Sequence, residues 1–209
     1  MSFDLQVHNS ASEDRLEKLI EERLRPGADK DLIDDRIWDL FGETWTVMFT
    51  DLSGFSRGVA KFGIIHFLQV IYESKRILIP CIDRHDGILL KMEGDSMLVI
   101  FRNAVRAINC AIEMQRTLAD YNINKSPEEQ ILLCVGLGYG KMLRIGDHDV
   151  FGSEVNAASK LGEDTAKARE ILVTGAVKET AEAQGKFSFE TLDYRPPGAE
   201  SAYRLQYAI

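Results

Sequence analysis

From Trp45 onward the hydrophobic period of the chain switches in a fixed order: strand, helix, strand, strand, helix, strand. Trp45 to Thr50 is aromatic and β-branched and breaks at Ser53-Gly54, which predicts a buried strand. Phe62, Ile65, Phe67, Leu68 and Tyr72 continue toward Ile79 at helical spacing, with a stop expected near Pro80. Gly87 to Glu93 and Ser96 to Phe101 read as two strands joined tightly through Gly94-Asp95. Ala104, Ile108, Ala111, Ile112 and Leu118 mark a second amphipathic helix, followed by a polar loop over 122–129. Ile131 to Tyr139 is then the fourth strand, with Gly136, Gly138 and Gly140 near its end. Few folds accept this order. It predicts an α+β, two-layer domain with a ferredoxin-like βαββαβ core, one antiparallel sheet covered by helices on one face.

Further segments extend that core. A short hairpin is expected at Gly146-Asp147 and a helix from about Glu154. Ile171–Thr174, Ala176–Ala183, Phe187–Leu192 and Ala202–Tyr207 then read as strand, helix, strand, strand. Ahead of the core, Leu16, Leu19, Ile20 and Leu24 fall on one helical face behind Ser12, an expected N-cap, until Pro26-Gly27. Leu32, Ile33, Arg36, Ile37, Leu40 and Phe41 form a second such face, with Gly42 placed to end it. The division expected is a helical appendage over 1–43 and a main domain over 44–209. The apolar stripe of the appendage has two uses open to it, packing on the core or pairing with another chain.

Composition narrows the function. The 209 residues carry a net charge of −8 and no Lys/Arg stripe, which argues against a nucleic-acid partner. An acidic protein acting on an acidic substrate needs metal ions. Cys81, Cys110 and Cys134 are odd in number and set in apolar runs, so they read as core residues. No apolar run approaches the ~20 residues of a membrane helix and no secretion signal is visible, so no membrane partner is expected and the expected location is cytoplasmic.

Two acids stand out. Asp51, in Phe49-Thr50-Asp51-Leu52-Ser53-Gly54-Phe55, ends the first strand. Asp95, in Lys91-Met92-Glu93-Gly94-Asp95, sits at the hairpin tip. In a ferredoxin-like sheet these elements are neighbours, so both carboxylates come to one edge. Either Asp alone is a common turn residue. Together they suit hard cations such as Mg²⁺, which take one or two carboxylates, waters and substrate phosphates. Gly136, Gly138 and Gly140 do not fit a dinucleotide fingerprint, since no helix follows directly, and chain crossing or close interface packing explains them better. His66 and His85 lack metal-ligand spacing, and His148 is expected in a turn.

With Asp149-Val150-Phe151-Gly152-Ser153-Glu154-Val155-Asn156-Ala157-Ala158-Ser159-Lys160-Leu161, these two segments make three blocks. In that order they resemble the motifs of the class III nucleotidyl cyclases, the adenylate and guanylate cyclase catalytic domain, from about Trp45 to the C-terminus. The resemblance implies conversion of a nucleoside triphosphate to a 3′,5′-cyclic monophosphate and pyrophosphate by a head-to-tail homodimer. It implies two divalent cations, Mg²⁺ or Mn²⁺, held by Asp51, Asp95 and the backbone carbonyl of Leu52. From the partner protomer it implies Lys91 and Asp149 at the purine edge and Asn156 at the ribose. A lysine donor beside a carboxylate acceptor suits adenine, so ATP is the expected substrate. Arg195, ahead of Pro196-Pro197-Gly198, matches a region where the family tends to place a basic residue toward the triphosphate.

One position departs from the pattern. Lys160 stands where the family usually has an arginine that stabilises charge on the reacting phosphorus. Lysine keeps the charge and loses the planar fork, which predicts a slow enzyme. The alternatives are a cyclase of other base specificity, for GTP or a pyrimidine nucleotide, and a catalytically impaired nucleotide-binding regulatory module. A diguanylate cyclase or polymerase palm would need a Gly-Gly-acidic-acidic-Phe hairpin that Gly94-Asp95-Ser96 does not provide.

Overall fold

The computed structural model describes residues 10–54, 62–184 and 187–208; Phe55 of the first motif lies outside them. Helix α1 (Ala11–Leu24) begins one turn-fragment earlier than Ser12 would allow. Ser10 is the cap: its hydroxyl accepts from the Glu13 N–H at 3.2 Å, and the Glu13 carboxylate accepts from the Ser10 N–H at 2.9 Å. This reciprocal box satisfies two free helix donors at once, which a lone Ser12 cannot do. Helix α2 (Lys30–Phe41) is capped by Asp29 and passes without a linker into β1 (Gly42–Leu52). Leu19 of α1 and Ile33, Ile37 and Phe41 of α2 bury against Ile145, at the end of strand β4 (Leu133–Ile145).

The sheet has the strand order β2 (Ile88–Glu93), β3 (Ser96–Phe101), β1, β4, β6 (Ile171–Thr174), β8 (Ala202–Gln206), β7 (Ser188–Thr191), with β5 (Asp149–Phe151) paired to the end of β4. Strands β2 (Ile88–Glu93) and β3 (Ser96–Phe101) form the expected hairpin, and β1 lies between β3 and β4, antiparallel to both. The four strands β2, β3, β1 and β4 are therefore the ferredoxin-like core. Strand β6 (Ile171–Thr174) adds parallel to β4, and β8 (Ala202–Gln206) and β7 (Ser188–Thr191) complete the edge.

Helices α3 (Ile64–Arg84), α4 (Ala104–Asn122) and, after β6, α6 (Gly175–Glu182) cover one face. Leu78, Ile82, Ile108, Met114 and Val177 pack there against Met48, Val99, Phe101 and Val173. Helix α3 runs through Pro80 instead of stopping at it. A proline inside a helix costs about 3 kcal/mol. Its last turn, however, buries Cys81 and Ile82, at 0% and 1% exposure, and fully buried side chains return about 1.5–3 kcal/mol each.

The opposite face is not bare, contrary to the expectation of a single covered face. Helix α5 (Ser153–Ser159), continued by a π-helical turn over Lys160–Thr165, lies on it. Val155 and Ala158 pack there on Trp45, Val47, Leu98 and Ile100, and Met142 and Val150 close the cluster. The glycines of β4 make this possible. A Cβ on Gly136 would stand 2.2 Å from the Ala158 carbonyl oxygen, and one on Gly138 would stand 2.3 Å from that of Glu154. Only bare backbone lets α5 sit so low. β4 accordingly runs past Tyr139, where a strand end was expected, because β1 pairs with it from Leu52↔Leu133 to Gly42↔Leu143.

Candidate active site

Asp51 ends β1 and Asp95 occupies the β2–β3 turn, and pairing of β1 with β3 through Thr50↔Met97 brings the two ends together. Gly94 carries φ +59° and Asp95 does not share it, the pattern of a II′ hairpin turn. Ser96, first residue of β3, donates its hydroxyl to Asp51 Oδ1 at 3.2 Å. The two carboxyl groups face each other. Burial, and then the charge of Asp51, pushes the Asp95 carboxyl up from 3.8 to about 6. Burial also raises Asp51, against the pull of the Ser96 hydroxyl. Leu52 buries its side chain in the main core, while its backbone N–H favours the ionised form of both acids.

Asp95 Oδ2 is buried and has no hydrogen-bond partner. A buried acceptor without a donor is costly, and two carboxylates at one point repel. A divalent cation relieves both penalties, so the pair fits such an ion. Among the described residues no group of three or more His, Cys, Asp or Glu side chains is placed to hold a metal. That leaves further coordination to backbone oxygen, water or a bound phosphate, as hard cations at phosphate sites commonly have it.

Next to the acids lies a cavity of about 310 Å³. Phe49, Leu98 and Val155 give it apolar walls, and Lys91, Asp149 and Asn156 give it polar ones. The Lys91 ammonium reaches Asp149 Oδ2 at 3.3 Å and Glu93 Oε1 at 2.9 Å. Its proton is held more tightly than usual, first by Glu93 and then by Asp149. Asp149 is oriented in turn, since its Oδ1 accepts from the Val150 N–H at 2.9 Å. Asp51 and Asp95 do not line this cavity themselves, but Ser96 does and so links the two clusters.

Asn156 projects from the outer face of α5, and its Nδ2 donates to the Pro197 carbonyl at 2.9 Å. Lys160 opens the π-helical turn and does not line the cavity; its ammonium is bound to Asp164 at 2.7 Å, one turn along the same surface. Arg195 is exposed and makes no hydrogen bond or ion pair among the described residues. It stands two residues before the carbonyl that receives Asn156. The structure thus groups Asp51 with Asp95, and Lys91 with Asp149 and Asn156. It leaves Lys160 and Arg195 at the margin.

Four polar residues of this region were not read from the sequence. Ser96 positions Asp51, Glu93 competes for Lys91, Glu163 lines the cavity, and Glu154 points half-buried from α5 onto β4. Ser96 had a visible signal, being adjacent to Asp95 at a strand start. Glu154 had none, because the acceptor it supplies is needed only by the way β6 turns away from β4.

The chain belongs to the adenylate and guanylate cyclase catalytic domain family, whose model matches residues 42–196. It is a class III nucleotidyl cyclase domain. "Putative adenylate cyclase 3" of Rhizobium meliloti is 30% identical over 115 residues, which is 55% of this chain and 19% of that protein. "Serine/threonine-protein kinase pkn2" of Myxococcus xanthus is 29% identical over 132 residues, 63% of this chain and 16% of that protein. The chain therefore spans less than a fifth of the length of these curated relatives. Among solved structures, an adenylate/guanylate cyclase/hydrolase from Silicibacter pomeroyi superposes with a TM-score of 0.69 at 21% identity, covering 80% of this chain and 98% of that one. The adenylyl cyclase CyaB from P. aeruginosa gives 0.64 at 19% identity, covering 80% and 96%. Among the described residues no helix is long and apolar enough to cross a membrane.

Proposed function

We propose that this domain is an adenylate cyclase that converts ATP to 3′,5′-cyclic AMP and pyrophosphate at sites formed between two copies of the chain. The observation that carries the reading is the pairing of two separate clusters, the opposed Asp51 and Asp95 carboxyls and the Lys91–Asp149 pair at the rim of an apolar slot. Asp51, Asp95 and the Leu52 carbonyl would hold two divalent cations, Mg²⁺ or Mn²⁺. Such ions offset the charge of a triphosphate and activate an attacking hydroxyl.

The chain's own side chains do the rest. Lys91 donates to a ring nitrogen of adenine and Asp149 accepts from its exocyclic amine, while Phe49, Leu98 and Val155 exclude water from the base. Asn156, steadied by the Pro197 carbonyl, has its side-chain oxygen left to orient the ribose. The 3′-oxygen then attacks the α-phosphorus, the bond to pyrophosphate breaks, and the hydroxyl proton is lost to solvent. Lys160, released from Asp164, would contribute a positive charge toward the phosphates and Arg195 a second. With Lys160 bound to Asp164 and lacking a guanidinium fork, turnover is slow.

A second copy is supported by surface chemistry. Ile64, Ile65, Leu68 and Tyr72 on α3 are 55%, 76%, 53% and 69% exposed, an apolar stripe just after the Asp51 loop. Contiguous exposed apolar patches of this kind mark interfaces. The competing contact of Glu93 with Lys91 favours testing a second base as well, because it alters the donor pattern offered to the purine.

Purified protein incubated separately with ATP, GTP, CTP and UTP, with Mg²⁺ or Mn²⁺, is expected to give cyclic AMP as the main product by mass spectrometry. Asp51→Ala and Asp95→Ala should each abolish it while leaving the fold intact. Absence of a cyclic product from all four nucleotides ends the cyclase reading, and a different preferred base moves the specificity.

A further inference from the structure

The mechanism above leaves a half-buried carboxylate unused. Glu154, second residue of α5, carries its carboxylate inward, onto the glycine stretch of β4. Oε2 accepts from the Tyr139 N–H at 3.1 Å and from the Thr174 hydroxyl at 2.6 Å. Among the described residues it has no cationic partner, and burial raises its proton affinity. Thr174 is itself fully buried.

The reason for this arrangement lies in the sheet. In the parallel β4–β6 ladder the Val135 N–H donates to the Glu170 carbonyl at 3.1 Å, and pairing ends at Leu137↔Val173. By the two-residue repeat of the ladder, Tyr139 would next donate to Thr174. Thr174, however, is where the chain turns into α6, so that acceptor is withdrawn. The Glu154 carboxylate takes its place. One side chain thereby completes a broken ladder, caps a fork between two strands, and pins the start of α5 to the sheet. Buried backbone donors are rarely left unpaired, and a charged acceptor makes the stronger bond.

Asn156 lies two residues further along α5, on the opposite side, and faces the cavity. The depth and rotation of α5 on β4 therefore set where Asn156 stands. Gly138 enforces the same seating, since the Glu154 carbonyl oxygen would be 2.3 Å from a Cβ there. We propose that Glu154 is a positioning residue for nucleotide cyclisation, acting through the seat of α5 on the sheet and hence through Asn156. The proposal rests on the cyclase reading for its kinetic part only.

The experiment uses Glu154→Ala, Glu154→Gln and Thr174→Val in the full chain. NMR of the Asn156 side-chain amide in the nucleotide-free protein reads the geometry directly. Kinetics with ATP and Mn²⁺ read its consequence. Glu154→Ala is expected to shift the Asn156 amide signals and to lower kcat by up to about 100-fold, since small displacements at a reacting centre cost that much. The double variant with Asn156→Ala should be no slower than Asn156→Ala alone, because both changes act on one contact. Gln keeps the carbonyl acceptor for Tyr139 and can donate to the Thr174 oxygen, so Glu154→Gln should retain most activity. Thr174→Val, which keeps the side-chain shape and removes one bond to Glu154, should show a smaller shift of the same sign, and decides the case if Glu154→Ala does not fold. Unmoved Asn156 signals, or losses that multiply in the double variant, overturn the proposal. A wild-type chain that makes no cyclic product sinks the functional reading instead, and the NMR result still judges this one.

Discussion

Replacing Asp95 with asparagine should stabilise the metal-free protein while removing its response to metal. In the folded state the Asp95 carboxyl is pushed from 3.8 to about 6 by burial and by the charge of Asp51. Its folded value lies above its unfolded one, so the sign is clear. The wild type holds the extra proton below about pH 4 and loses stability as pH rises through the interval from 3.8 to about 6. Fully felt, such a gap is worth about 3 kcal/mol; solvent screening at a half-buried group reduces it to about 1 kcal/mol. Asparagine carries no charge at any of these pH values. In EDTA at pH 8 the variant should therefore melt about 2–4 °C above wild type. Near pH 4, where wild-type Asp95 is protonated, that advantage should vanish. Excess Mn²⁺ should reverse the order at pH 8, raising the wild-type midpoint and leaving the variant unmoved. Differential scanning fluorimetry across pH, with and without Mn²⁺, measures all three. An asparagine variant that melts below wild type in EDTA at pH 8 would refute the view of Asp95 as a strained, ion-seeking acid.

Lys160→Arg should raise kcat at least several-fold if that position faces phosphate, because a fork replaces a point charge; an unchanged rate assigns Lys160 to the surface pair with Asp164. Lys91→Ala should lower kcat/KM for ATP by about 10- to 100-fold, the cost of losing a charged hydrogen-bond donor at a specificity site, with a smaller effect on GTP. Gly138→Ala should lower the thermal midpoint and, at about 1–3 kcal/mol, destabilise more than a surface change, since its methyl would meet the Glu154 carbonyl oxygen; a wild-type melting curve would refute the close seating of α5.

The βαββαβ core was legible because each of its elements carries its own period and its own stop. Trp45 to Thr50, the Gly94-Asp95 turn and the helix from Ala104 each announce themselves locally. The misplaced boundaries share a different cause. At Pro80 and beyond Tyr139 a local breaker was outweighed by burial and by pairing with β1, which are properties of the assembled sheet. The N-cap at Ser10 shows the converse, a local signal that was present in the Ser10–Glu13 spacing and outcompeted Ser12.

The candidate site divides along the same line. Asp51, Asp95 and Asp149 sit at the ends of strands or in a tight turn and Lys91 within β2, where sequence position nearly fixes spatial position, and the sheet does bring them together in pairs. Lys160 and Arg195 depend on a π-helical turn and on the chain after β7, whose courses are set by packing; their side chains stand apart from the cavity. Glu154 is the extreme case. Nothing near it in sequence marks it, since the need it meets arises where β6 leaves β4, some 20 residues away. Residues that touch a substrate tend to be visible in a chain's motifs, whereas residues that place those contacts are visible only once the backbone donors of the fold have been accounted for one by one. In this domain that accounting leads from the Tyr139 N–H that β6 leaves without a backbone acceptor to Glu154, and from Glu154 two residues along α5 to Asn156.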